Sequence, residues 1–184
     1  IIRAMQAEGV AACGKHFPGH GDTHVDSHKA LPRVDYDLHR LQTVELIPFK
    51  KAINAGIACI MSAHVIVSAL DANYPATLSP AALNGILRQQ FDFQGILFAD
   101  DFEMKAIADN YGFEESIIRG VLAGCDVIPI CHTLALQHQA IETLTKAVER
   151  GQVPQSRIDQ AGQRIDQLIA NYWKKPPPTR TPIS

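Results

Sequence analysis

Four short apolar runs recur along the chain, and each one ends abruptly in polar residues. Apart from an Asp at the start of the last one, they consist almost wholly of Val, Ile, Leu, Ala, Phe, Met, Cys or Pro, with no polar residue on alternate positions. Such runs predict strands that are buried on both faces, as in a parallel sheet. The runs cover residues 10–13, 57–61, 96–99 and 126–130.

Helical patterns separate these runs. Gly9 is predicted to end a first helix, and Asp35 or Asp37 to begin a second one that Pro48 interrupts and Gly56 ends. Ser79 is predicted to cap a third helix that starts with Pro80. The further predicted helices cover residues 113–122, 134–150 and 154–173. The last residues, 174–184, contain four prolines and no periodicity, and we expect a disordered or extended tail there.

Strands that alternate with helices predict an α/β fold with a parallel sheet, here a single domain over residues 1–173. Polar residues follow the carboxyl end of each strand, which is where barrel enzymes carry their chemistry. An eight-unit barrel typically needs about 250 residues. Four units in 184 residues therefore predict half of a TIM-like barrel, in a chain that begins inside a larger architecture.

Composition narrows the function classes. The 46% hydrophobic and 20% charged content is that of a globular domain. A net charge of −2 without a basic cluster argues against nucleic acid or an anionic membrane as partner. No apolar run approaches the roughly 20 residues that a membrane span needs. The four cysteines form no CxxC pair, which predicts reduced core thiols and a cytoplasmic protein.

The densest group of candidate site residues follows the first apolar run, in the sequence KHFPGHGDTHVDSH from Lys15 to His28. Its histidines recur at every fourth residue, which on a helix would create a metal-binding face. Pro18 and the neighbouring glycines disfavour a helix, so we expect a long loop at the end of a strand. This loop gathers Lys15, His16, Asp22, Asp26 and His28.

This loop resembles the signature loop of the family 3 glycoside hydrolases, in the subgroup of bacterial β-N-acetylglucosaminidases of peptidoglycan recycling. A second motif agrees: Ala99-Asp100-Asp101-Phe102-Glu103-Met104 is similar to the family's nucleophile motif, Ser/Thr-Asp-Asp-Leu-x-Met. Ala99 and Phe102 depart from it mildly. The resemblance implies a TIM-like catalytic barrel, with this chain supplying strands five to eight, and makes Asp100 the nucleophile.

Retaining glycoside hydrolysis needs a carboxylate that attacks the anomeric carbon and a second group that protonates the leaving oxygen. By the resemblance, Asp26 and His28 form the acid/base dyad, and Lys15 and His16 bind sugar hydroxyls. His64, after the second strand, either faces the substrate pocket or pairs with a loop carbonyl. Asp101 is expected to be a helix cap, and His132 to be structural or peripheral.

Two alternatives remain open at this point. A metal-dependent barrel hydrolase would use the histidine-rich loop and Asp100 as ligands. An inactive half-barrel would need a missing N-terminal half, supplied by self-association or by another polypeptide. The resemblance favours a hydrolase without cofactor or metal, acting on N-acetylglucosaminyl-anhydromuramyl peptides or related β-N-acetylglucosaminides.

Overall fold

A three-stranded parallel sheet forms the centre of the molecule. The structure is a computed structural model and describes residues 1–20 and 31–173. The sheet has the order β1-β3-β5, and a two-stranded parallel pair, β2 with β4, lies beside it. The strands are β1 Cys13–Phe17, β2 Arg33–Val34, β3 Cys59–Ser62, β4 Ile66–Val67 and β5 Ile96–Phe98.

Helices connect the strands, as the alternating pattern predicted. Two helical segments with π-type hydrogen bonding, Leu41–Glu45 and Ala81–Gln90, and one 3-10 turn, Ala76–Leu78, complete them. No helix of the described residues is long and apolar enough to cross a membrane. The α-helices are α1 Ile2–Ala7, α2 Leu38–Arg40, α3 Ile47–Asn54, α4 Lys105–Ala108, α5 Phe113–Ala123, α6 Leu134–Glu149 and α7 Gln155–Tyr172.

Local chemistry explains three of the helix ends. The Asp37 side chain accepts a hydrogen bond from Arg40 N at 2.7 Å, which makes it the cap of α2 and settles the choice between Asp35 and Asp37. Pro48 lies in the first turn of α3, where its missing N–H costs no helical hydrogen bond. Gly124 ends α5 with φ of +127°, a conformation that other residues rarely adopt.

The extent of the strands differs from the sequence prediction at two places. The first run was predicted as a strand over residues 10–13, but β1 starts at Cys13 and continues through Lys15 and His16, since the parallel pairing with β3 begins at Cys59. The fourth run forms only one bridge, between Phe98 and Val127, and not a regular strand. Pro129 lacks the N–H that would extend this ladder.

The core lies between the sheet and the surrounding helices. Phe17 packs edge-on against Phe49 at 5.2 Å between ring centroids, joining β1 to α3. Burial of such a side chain contributes roughly 1.5–3 kcal/mol. The largest side chains without solvent exposure are Phe17, Phe102, Ile60, Leu78, Leu83, Leu87 and Leu97, together with Ile117.

The cysteines only partly follow the expectation of core thiols. All four are free; Cys59 and Cys125 are buried, and burial raises the pKa of each to about 12. Cys13 and Cys131 are exposed, which corrects the prediction for these two positions. Cys13 opens β1 at a position whose side chain is not covered, and Cys131 lies in the loop after the fourth run.

A buried carboxylate fastens α7 to the amino end of the sheet. The side chain of Asp126 is fully buried and forms ion pairs with Arg88 at 2.6 Å, Arg157 at 3.0 Å and Arg164 at 3.1 Å. Its Oδ2 also accepts a hydrogen bond from Leu97 N at 3.0 Å, within β5. Arg157 and Arg164 belong to α7, so this group of charges ties the last described helix to the sheet.

Candidate active site

His16 and Asp100 meet at the carboxyl end of the sheet. His16 lies near the end of β1, and Asp100 follows β5 by two residues. The His16 Nε2 to Asp100 Oδ2 distance is 3.8 Å, and both side chains are partly exposed, at 30% and 24%. The parallel order β1-β3-β5 brings these ends together although 84 positions separate the residues in sequence.

The two oxygens of Asp100 differ in their surroundings. Oδ1 accepts a hydrogen bond from the backbone N–H of Asp101 at 2.9 Å. Oδ2 is the oxygen nearest to His16. A carboxylate held through one oxygen keeps its second oxygen oriented, which is what an attacking nucleophile requires.

The side chain of Asp101, unlike that of Asp100, contacts residues of two different loops. Its Oδ1 accepts hydrogen bonds from Glu103 N at 3.1 Å and Cys131 N at 3.3 Å, and its Oδ2 lies 3.4 Å from His132 Nε2. The predicted role as a helix cap is therefore replaced by a wider one, since α4 starts only at Lys105 after Met104. Asp101 joins the loop after β5 to the loop after residue 130.

Glu103 reinforces the same junction. Its Oε2 accepts hydrogen bonds from His132 N at 2.5 Å and from Thr133 N at 3.1 Å. Hydrogen bonding from Thr133 and from the backbone of His132 keeps the pKa of Glu103 below its usual value. Asp101 and Glu103 thus link the two loops at this end of the sheet, which fixes the segment directly after Asp100.

His64 is buried against the segment that follows β5 and carries Asp100 and Asp101. It is 1% exposed, its Nε2 lies 3.0 Å from the carbonyl oxygen of Asp101, and its Nδ1 lies 3.0 Å from Thr77 Oγ1. Burial lowers its pKa. Of the two roles predicted for His64, the structure shows the bond to a loop carbonyl; a contact with substrate stays a prediction.

The remaining predicted residues divide into two groups. Lys15 is exposed on β1, directly before His16, and the ring of His20 approaches that of His16 with centroids 6.4 Å apart. Asp22, Asp26 and His28 lie outside the described residues, as does the predicted tail, 174–184. The acid/base dyad and the tail therefore stay predictions.

Sequence reasoning missed the residues that support the site rather than form it. Thr77 and Ser62 are buried hydroxyls 3.0 Å from each other, and Glu103 bridges two loops. A single Ser or Thr in an apolar run carries no signal of its own. Glu103, by contrast, lies inside the motif that identified Asp100, and its spacing from the strand end could have indicated it.

The chain is similar to a family model and to several known proteins. The model of the glycosyl hydrolase family 3 N-terminal domain matches residues 1–168. The chain belongs to glycosyl hydrolase family 3. A β-hexosaminidase from Thiobacillus denitrificans is 39% identical over 144 residues, which are 78% of this chain and 40% of that protein. A β-hexosaminidase from Methylococcus capsulatus is 38% identical over 174 residues, 92% of this chain and 52% of that protein.

The family assignment also holds at the level of the fold. A family 3 β-N-acetylglucosaminidase from Paenibacillus superposes with a TM-score of 0.91 at 38% identity, covering 100% of this chain and 36% of the other. The predicted TIM-barrel-like α/β fold with parallel strands is therefore confirmed. The chain spans between about a third and about a half of these three relatives.

The alternative of a metal-dependent hydrolase requires a group of side chains that can bind a metal ion. Within residues 1–20 and 31–173, no group of three or more His, Cys, Asp or Glu side chains is arranged to hold a metal ion. The described residues bring together two of the candidate ligands, His16 and Asp100, which lie 3.8 Å apart. The other histidines of the predicted ligand loop, His24 and His28, lie outside the described residues.

Proposed function

We propose that this chain forms the C-terminal half of the catalytic barrel of a retaining β-N-acetylglucosaminidase, with Asp100 as the nucleophile. The observation that carries the proposal is the difference between the two adjacent aspartates. Asp100 accepts one backbone hydrogen bond, through Oδ1, and its Oδ2 lies 3.8 Å from His16 Nε2. Asp101 accepts two backbone hydrogen bonds through Oδ1, and its Oδ2 lies 3.4 Å from His132 Nε2. The more heavily hydrogen-bonded carboxylate is the poorer nucleophile of the two.

The reaction would proceed in two displacements. Asp100 Oδ2 attacks the anomeric carbon while His28 donates its proton to the departing glycosidic oxygen, and the bond between carbon and that oxygen breaks. A water molecule then attacks the same carbon, His28 takes a proton from it, and the bond to Asp100 breaks. Two inversions retain the configuration, and the enzyme returns to its starting protonation state.

The other residues of the loop would position the sugar and the acid. Asp26 would hold the His28 imidazole in one orientation, and Lys15 and His16 would donate hydrogen bonds to sugar hydroxyls. The position of His16 beside Asp100 supports this assignment, because a group that binds a hydroxyl near the anomeric carbon must lie close to the nucleophile.

The missing barrel half is the structural part of the proposal. Within the described residues, β1 has a hydrogen-bonded strand on one side only, and at the opposite edge the sheet continues only as the single bridge at Val127. Four further strands between these edges would close a barrel of eight. Relatives about two to three times as long as the matched region are consistent with this arrangement.

β-N-Acetylglucosaminides are the substrate class that the relatives' names support. We place N-acetylglucosaminyl-anhydromuramyl peptides of recycled peptidoglycan among them, and the protein in the cytoplasm. The resemblance of the Asp26-Ser-His28 loop to the recycling subgroup supports the first placement, and the cysteine pattern supports the second.

Covalent labelling tests the nucleophile. The chain would be fused behind the preceding barrel half of the Methylococcus capsulatus relative and incubated with a 5-fluoro N-acetylglucosaminide that has a good leaving group. We expect the protein to gain the mass of one sugar, located by peptide mapping at Asp100. Asp100→Asn should abolish the labelling, and the matched variant Asp101→Asn should still be labelled at Asp100. Label on Asp101, or a product of inverted configuration, would disprove the assignment.

The same fusion distinguishes the metal-dependent alternative. Hydrolysis by the proposed mechanism uses carboxylate and imidazole groups only, so exhaustive treatment with a chelator should leave the rate unchanged. A rate that falls on chelation and returns with added zinc would instead favour the metal-dependent hydrolase.

A further inference from the structure

His64 bonds with an acceptor on one side and a hydroxyl on the other. The carbonyl oxygen of Asp101 can only accept, so His64 Nε2 must carry the proton of that 3.0 Å hydrogen bond. The ring is also fixed by an edge-on contact with Phe102, at 5.7 Å between centroids. The orientation of the imidazole is therefore set from three directions.

The other ring nitrogen of His64, Nδ1, carries a proton only if the ring is charged, because Nε2 already carries one. Nδ1 lies 3.0 Å from Thr77 Oγ1, and the burial of His64 opposes the imidazolium form. In the neutral ring with its proton on Nε2, Nδ1 is an acceptor, and Thr77 must donate its hydroxyl proton to it. The Thr77 hydroxyl could instead donate this proton to the carbonyl oxygen of Ala63, which lies 2.9 Å away. That carbonyl oxygen also accepts a hydrogen bond from the backbone N–H of Thr77 at 3.3 Å, so it keeps a donor when the hydroxyl donates to His64.

Ser62 completes the chain of donors. Its Oγ lies 3.0 Å from Thr77 Oγ1 and 3.3 Å from Phe98 O. When Thr77 donates to His64, its oxygen can accept from Ser62. Because Ser62 has a single hydroxyl proton, this arrangement directs it to Thr77 at 3.0 Å rather than to the Phe98 carbonyl of β5 at 3.3 Å.

The backbone of Asp101 transmits this order to Asp100. Its carbonyl accepts the proton of His64, and its N–H donates to Asp100 Oδ1 at 2.9 Å. The Asp101 carbonyl also accepts a hydrogen bond from Met104 N at 3.1 Å, so His64 is one of two donors that hold it. Without the bond from His64, the backbone of Asp101, and with it the N–H that bonds Asp100, would be held less tightly.

We infer that His64, kept in its Nε2–H tautomer by Thr77, is a positioning residue that orients the Asp100 carboxylate through the backbone of Asp101. The charged groups that face it are Asp100 and Asp101, which favour its protonation, and His16, which opposes it. The effect of His64 on catalysis rests on the proposed function of Asp100, whereas the assignment of the His64 tautomer does not.

Nuclear magnetic resonance of the 184-residue chain tests the tautomer directly. With ¹⁵N-labelled histidine, long-range proton–nitrogen correlations distinguish Nε2–H from Nδ1–H, and His64→Gln identifies the His64 signals among the eight histidines. We expect a neutral Nε2–H ring that does not titrate through its usual range near about pH 6.5. An Nδ1–H ring, or an ordinary titration in that range, would overturn the inference.

Replacement of Thr77 gives the matched comparison. Thr77→Val removes the donor at nearly constant volume, so the His64 signals should shift toward the Nδ1–H or charged form, whereas Thr77→Ser should preserve the wild-type signals. Thr145→Val removes an exposed hydroxyl that donates to Ile141 O on α6 and should leave His64 unchanged. Identical His64 signals in Thr77→Val and wild type would contradict the role of Thr77.

Kinetics of the fused barrel test the catalytic consequence. Thr77→Val should lower kcat by roughly 10- to 100-fold with little change in KM, because a displaced nucleophile loses rate rather than binding. Thr77→Ser should restore most of the rate. An unchanged kcat, or an effect on KM alone, would refute positioning. A wild-type fusion without activity would count against the proposed function, and the tautomer measurement would then decide the state of His64.

Discussion

Two adjacent carboxylates with opposite uses are the central feature at the scale of single residues. Asp100 Oδ2 lies 3.8 Å from His16, while Asp101 joins two loops through its contacts with Glu103, Cys131 and His132. The chemistry of the two side chains is identical, so their roles differ only because different neighbours reach them. A local motif can therefore place a proposed nucleophile and a structural carboxylate side by side.

The proposed acid/base role of His28 predicts a dependence on the leaving group. In the fused barrel, His28→Ala should slow hydrolysis of alkyl and sugar glycosides far more than that of activated aryl glycosides, because an activated leaving group needs little protonation. The ratio of kcat/KM for the two substrate types measures this. Equal losses on both would show that His28 has a structural role instead.

The buried carboxylate of Asp126 predicts a large effect on stability. Asp126→Asn would leave Arg88, Arg157 and Arg164 together without an opposing charge, which costs about 3–5 kcal/mol when a buried pair is broken. Burial already lowers the pKa of Arg88 to about 10. Urea unfolding of the 184-residue chain measures the loss. Glu142→Gln, which removes an exposed ion pair with Lys146, should leave the midpoint unchanged.

Sequence motifs predicted the candidate catalytic residues, and not the residues that hold them in place. Asp100 and His16 were predicted from motifs and lie together, because a strand that ends in a polar residue places it at the carboxyl edge. Thr77 was not predicted, since its role depends on the approach of His64 from another segment of the chain. Such pairings are set by tertiary packing, which the periodicity of one segment does not contain.

At the scale of secondary structure, the predictions were good for helices and weaker for strands. The predicted helix over 113–122 is Phe113–Ala123, and the one over 134–150 is Leu134–Glu149, since periodicity and glycine ends are local signals. The short pair Arg33–Val34 with Ile66–Val67 was missed. Two residues are too few to produce a pattern, and their pairing depends on segments far apart in sequence.

Two glycines in helical surroundings should respond in opposite ways to the same substitution. Gly124→Ala would place a Cβ 2.7 Å from Asn84 Oδ1 at a φ of +127°. We therefore expect a loss of at least about 1 kcal/mol. Gly162→Ala lies within α7 with no atom near the added carbon. It should gain roughly 0.5–1 kcal/mol from the better helix propensity of alanine. Thermal unfolding of both variants measures the difference, and a stabilised Gly124→Ala would mean that α5 ends differently.

At the scale of the whole molecule, the proposed half-barrel leads to a prediction about activity. The described strands order as β1-β3-β5, and the chain spans only part of its relatives. A half-barrel was predicted from the number of strand and helix units, since each unit has a fixed length requirement. Its partner could not be predicted, because no residue of this chain specifies which polypeptide lies against an open strand.

The 184-residue chain alone should therefore hydrolyse N-acetylglucosaminides poorly. The sugar would contact one side of a site whose other side is absent, and an open strand edge favours association with other chains. A chromogenic N-acetylglucosaminide measures the rate for the chain and for the fused barrel, at equal concentration. Equal rates for both would show that the described half is sufficient.

The ion pairs of Asp126 have a consequence for synthesis of the chain. Asp126 emerges from the ribosome before Arg157 and Arg164, so for an interval its carboxylate has only Arg88 of these three cationic partners. Burial of the carboxylate becomes favourable only when the last described helix has been made. A chain interrupted before this helix would keep its sheet loosely packed and would be open to proteases. Asp126 therefore has all three of these cationic partners only after α7 has been translated.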